Sequence, residues 1–155
     1  MDLSIWLNNI STWYQDRKHD QGDTLKTIIF SAPDSVFGPE LSDDQSKAIA
    51  CWLDGCLRLF QQHRYLNPEC AFELLNYTSS QLERVACDHN TDMAIRDWCM
   101  KRLQHMAVLS LEFCNQQEDQ QNWLTRAHCL IEGHVKLMEA LAWNEPRKHD
   151  QVIWH

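Results

Sequence analysis

Apolar residues return at steps of three and four along almost the whole of this chain, and only four Gly and four Pro interrupt them in 155 residues. That period gathers side chains on one face of a helix, whereas a half-buried strand needs strict alternation. So few turn-forming residues would also leave a many-stranded sheet without its reversals. The pattern predicts an all-α fold: a single compact domain of five to six antiparallel amphipathic helices over residues 1–143, then a C-terminal tail over residues 144–155. A domain of this length buries roughly 70% of the surface its unfolded chain exposes, so it needs neither metal nor disulfide to hold it.

The first helix is expected from Leu3 to about Lys18, with Leu3, Trp6, Leu7, Ile10, Trp13 and Tyr14 on one face. His19 to Asp23 breaks the pattern, and Thr24 to Phe30 suits a helix or a strand by its own composition. Ser31 to Leu41, carrying Pro33, Gly38 and Pro39, reads as the longest irregular connection, with Val36 and Phe37 pinning it to the body. Ser42 to Gln45 has the form of a capping box, in which the Ser42 hydroxyl accepts from the Gln45 amide and the Gln45 side chain reaches back. The helix it opens runs to about His63, with Ile49, Trp52, Leu53, Cys56, Leu57 and Phe60 inward and Gly55 at a close helix crossing. Asn67-Pro68 starts the next, towards Cys87, and Thr91 is placed to cap another reaching about Cys114. The last helix, about Gln120 to Trp143, would turn Trp123, Leu124, Ala127, Ile131, Val135, Met138 and Leu141 to the core before Pro146 ends it.

Trp6, Trp52 and Trp98 stand 46 residues apart, twice over. At that offset Lys47-Ala48-Ile49 falls over Met93-Ala94-Ile95, Leu57 over Leu103 and Phe60 over Met106, while Thr24 to Phe30 falls over the Pro68 helix, which favours the helical reading of that segment. The spacing lies in the length range of HEAT-class helical hairpins, but their fixed consensus positions are missing, and any two amphipathic helices set in phase share such residues. Trp6, Trp13, Trp52, Trp98 and Trp123 are expected in the core, because indoles bury large areas.

The formal charge of −8 and pI near 5.4 oppose long-range attraction to phosphate backbones or anionic lipid. Nucleic acid is therefore a poor partner, and the basic residues Arg96, Lys101 and Arg102 spread over more than one face of their helix. Seven cysteines, an odd number without a Cys-x-x-Cys pair and mostly inside helical patterns, suggest reduced thiols and a cytoplasmic location. The start MDLSIWLNNIS lacks the basic opening and apolar run of a signal peptide, and no stretch reaches the roughly 20 apolar residues that cross a bilayer, so no membrane insertion is expected.

Metal ligation has two candidates. His128, Cys129, Glu132 and His134 share one helix, but only His128 and Glu132 lie a turn apart, which is neither zincin nor di-iron spacing. Cys87 and His89 with Cys99 or His105 form a second, looser set. No Gly-x-Ser-x-Gly elbow and no Gly-rich phosphate loop occurs, and Cys51 and Cys56, five apart on one helix, are not placed as a redox pair. No catalytic residue, metal or cofactor is assigned. The residues point to a non-enzymatic cytoplasmic protein-binding module, an adaptor, chaperone or regulator that sequesters a partner protein, with a homodimer as one form of partnership. Val36, Phe37, Trp143, Val152, Ile153 and Trp154 are the candidate partner contacts. A transcription-associated regulator with a helix-turn-helix element ranks second, and a metal-binding helical sensor or enzyme third.

Overall fold

A computed structural model describes residues 1–16 and 22–144, and the described residues form helices joined by turns and one longer connection over residues 31–42. Six α-helices follow in order: α1 (Leu3–Asp16), α2 (Gly22–Phe30), α3 (Asp43–His63), α4 (Pro68–Ala86), α5 (Met93–Asn115) and α6 (Gln120–Asn144). A single 3-10 turn, Asp34–Phe37, stands in the connection from α2 to α3. The described residues fall into two compact units, one up to Leu103 and one from Gln104 onward, with the division inside α5.

The first unit is organised around α3, which packs against α1, α2, α4 and the 3-10 turn. Trp6 and Trp52 are completely buried. Trp6 satisfies its indole by donating to the Ile28 carbonyl at 2.9 Å, which ties α1 to α2. Trp52 receives the ring of Phe37 edge-on at 4.9 Å and 86°, the geometry the ring quadrupoles favour. Ile29 of α2 sits over Gly55 of α3, where a Cβ would collide with it, so the close crossing expected at that glycine is present. Thr24–Phe30, ambiguous alone, is helical because Leu25 and Ile29, four apart, both bury against α3.

Caps set the helix starts. The Ser42 hydroxyl accepts from the Gln45 amide at 3.0 Å, as the capping box requires, but the reciprocal half is not made: Gln45 Nε2 donates to the Val36 carbonyl at 2.9 Å instead. Asn67 Oδ1 accepts from Cys70 at 3.2 Å, with Pro68 opening α4. At α5 the expected cap moves on by one residue: Asp92 Oδ1 takes the Ala94 amide at 2.8 Å, while the hydroxyl of Thr91, nearly buried, donates to Asp88 at 3.0 Å. Gly38, at φ +118°, turns the chain where a side chain would be strained.

In the second unit, α6 follows the end of α5 after a polar turn, and Phe113 and Trp123 meet edge-on at 5.4 Å. Ala127 and Leu141 are buried as predicted, but Leu124, Ile131 and Val135 are about half exposed. Their helical period is real; what the period does not decide is whether another element covers that face.

Candidate partner-binding groove

The sequence-predicted contacts separate into three groups. Val36 and Phe37 lie in the core, since Val36 is fully buried, its carbonyl accepts from Gln45, and Phe37 is held between Trp52 and the Arg84 guanidinium 5.4 Å from its ring. Their side chains are thus packed between the connection and the body of the first unit. Trp143 falls within the backbone span of α6, with its side chain outside the described part, and Val152, Ile153 and Trp154 lie outside the described residues.

Trp98 corrects the sequence reading in the other direction. It stands 46 residues after Trp52, but as the sixth residue of α5 where Trp52 is the tenth of α3, and it is only partly buried. Its indole floors a groove of about 320 Å³ in the first unit, lined by Leu41, Gln45, Ser46, Ile49, Ala94, Ile95 and Trp98. The walls come from matching stretches of α3 and α5, with Leu41 leading into the first. Arg102, one turn along, stacks its guanidinium 4.6 Å from the centre of Trp98. Leu41 stands half exposed at the lip.

Gln45 makes this groove more than a gap between helices. Its side chain is 1% exposed, and its Nε2 bond to Val36 fixes which way the amide faces, because a carbonyl can only accept. Oε1 is left without a hydrogen-bond partner among the described residues. An unmade bond at a buried acceptor costs on the order of 1–3 kcal/mol, so such an atom marks a place where a donor is wanted. Sequence reasoning missed both residues, although one signal was present: a capping-box Gln at a position that also faces the core has two uses for one amide.

Two other hollows are less suited to a partner. One, about 550 Å³ beside Trp13, Asp54 and Arg58, is shallow and open, and its carboxylate is engaged, since Asp54 pairs with Arg58 at 2.7 Å and also accepts from the Tyr14 hydroxyl. Burial and the Asp54 carboxylate push the Tyr14 phenol well above its usual range. The other, about 220 Å³ and smaller, is walled by Lys26, His63 and the Phe30–Tyr77 ring pair at 4.9 Å.

Among the described residues, no group of three or more His, Cys, Asp or Glu side chains is placed to hold a metal ion. His128, Cys129 and Glu132 are exposed on α6 and His134 is half-buried, while Cys87, His89 and His105 are exposed and Cys99 is buried. All seven cysteines are free thiols. Arg96 is drawn to the Ala86 carbonyl at 3.1 Å and Arg102 to Trp98, so these two bases do not form a common phosphate-binding face. Among the described residues no helix is long and apolar enough to cross a membrane. No protein-family model matches the chain, and no curated protein and no solved structure is similar to it.

Proposed function

We propose that this chain works without catalysis, by binding another protein at the groove floored by Trp98. The contrast between two tryptophans 46 residues apart carries the reading. Trp52 is covered by the chain's own Phe37, whereas Trp98 is only partly buried and lines a groove together with Gln45, whose buried Oε1 has no donor among the described residues. Aromatic side chains set in small apolar pockets are the usual energetic centres of protein interfaces. None of the seven groove residues is an acid, a base or a cysteine, so the lining offers a binding surface rather than proton-transfer chemistry. The role is that of an adaptor, chaperone or regulator, and seven unpaired thiols suit the reducing cytoplasm.

Ala94 lines the groove but is itself exposed, so Ala94→Trp fills the space without disturbing the core. Affinity capture from cells that express the chain should return a stoichiometric protein partner with the wild type and lose it with Ala94→Trp. Recovery of no stoichiometric partner, or equal recovery with both proteins, would overturn the proposal.

A further inference from the structure

We infer that the groove takes an extended polypeptide segment that presents one apolar side chain to Trp98, one backbone N–H to Gln45 Oε1, and a Lys or Arg beside them. This deepens the protein-binding reading and rests on it. The chain supplies the template for such an occupant. On one side, the Gln45 amide already grips a backbone, through Nε2 and the Val36 carbonyl, while the next residue, Phe37, covers Trp52. A primary amide carries a donor edge and an acceptor edge, as a peptide group does. With the donor edge used on the chain's own connection, the acceptor edge is matched to the N–H of a second backbone. An apolar side chain from that backbone would then cover Trp98 as Phe37 covers Trp52.

The size agrees. A volume of about 320 Å³ is near the lower end of the range for enclosed small-ligand sites, enough for an anchoring side chain and its peptide group but not for a helix lying along its length. The charge agrees as well. Glu40, Asp43 and Asp44, exposed neighbours in sequence of the lining residues Leu41 and Gln45, have no ion pair among the described residues, while Lys47 is the one base in that stretch. On the α5 edge, Arg102 is engaged with Trp98. The basic residue of the segment therefore belongs on the Asp43–Asp44 side, where it speeds encounter and sets orientation more than it adds affinity.

The test is a selection of displayed random 12-residue peptides on the full chain, counter-selected against Ala94→Trp. Enriched peptides should share an apolar residue with Lys or Arg nearby. Synthetic versions of the tightest peptide, N-methylated at one amide at a time, should show a single position at which methylation weakens binding about tenfold. That loss should largely vanish in Gln45→Met, whose thioether is only a weak acceptor. If Gln45→Met does not fold, Asp43→Lys with Asp44→Lys, both exposed, should still weaken the basic peptides several-fold with unchanged circular dichroism. Failure to enrich any groove-dependent peptide, an acidic or purely apolar consensus, or the absence of a methylation-sensitive amide would each overturn the inference. If a native partner is nonetheless captured in an Ala94-dependent way, the protein-binding reading stands while this account of the occupant falls.

Discussion

Ile29 of α2 packs directly onto Gly55 of α3, its Cγ1 standing 3.0 Å from where a Cβ on residue 55 would lie and its Cδ1 closer still. Leu25 closes the same site at 3.5 Å. Gly55→Ala therefore gains helix propensity of about 1 kcal/mol but forces the buried Ile29 side chain aside, a cost of about 1–3 kcal/mol. The expected outcome is net destabilisation by about 1 kcal/mol in urea unfolding. Stabilisation would mean that α2 does not approach α3 as closely as described.

Trp52 and Trp98 should respond differently to truncation. Trp52→Ala opens a large cavity beneath Phe37 and should cost about 3–5 kcal/mol. Trp98→Ala removes a ring that already meets solvent on one side and should cost about 1–2 kcal/mol. Denaturant melts of the two variants check this, and equal losses would show Trp98 to be as enclosed as Trp52.

Alkali should act through two buried thiols. Burial pushes Cys56 and Cys99 up from the ordinary 9.0 to about 12. Below pH 9 both states keep their protons and the native state has its full stability. Above it the unfolded chain ionises while the folded chain does not, so stability falls as pH rises from about 9 towards 12, by up to about 1.4 kcal/mol per pH unit for each thiol. Urea midpoints between pH 8 and 10.5 should fall more steeply for the wild type than for a Cys56→Ala, Cys99→Ala double variant. Parallel slopes would contradict the assignment.

At pH 8 the same burial predicts an order of labelling. Cys129 and Cys87, both exposed, should react first with a thiol reagent, and Cys56 and Cys99 only when the chain unfolds. Peptide mapping after brief exposure reads this directly; early modification of Cys99 would show that α5 opens locally.

The fold was largely legible because its signals are local. The Ser42 and Asn67 caps, the inward faces of α3 and α4, and the close approach at Gly55 all follow from spacing and side-chain chemistry within a few residues. The candidate groove was not, because it depends on what covers a face rather than on which face is apolar. Trp52 and Trp98 share a sequence setting, and only the return of the 34–37 segment over one of them separates a core residue from a groove residue. Leu124, Ile131 and Val135 were expected inward for the same reason, since periodicity alone cannot distinguish a covered stripe from an open one. Gln45 was legible as a cap, but its turn towards Val36, which strands Oε1, is a tertiary event.

The most direct test of the central claim is the oxidation footprint of Trp98 in the complex recovered from cells, compared with the free chain. Hydroxyl-radical labelling followed by peptide mapping should show Trp98 readily oxidised when free and strongly protected when bound, with Trp52 resistant in both. Unchanged oxidation of Trp98 in a stoichiometric complex would contradict the account.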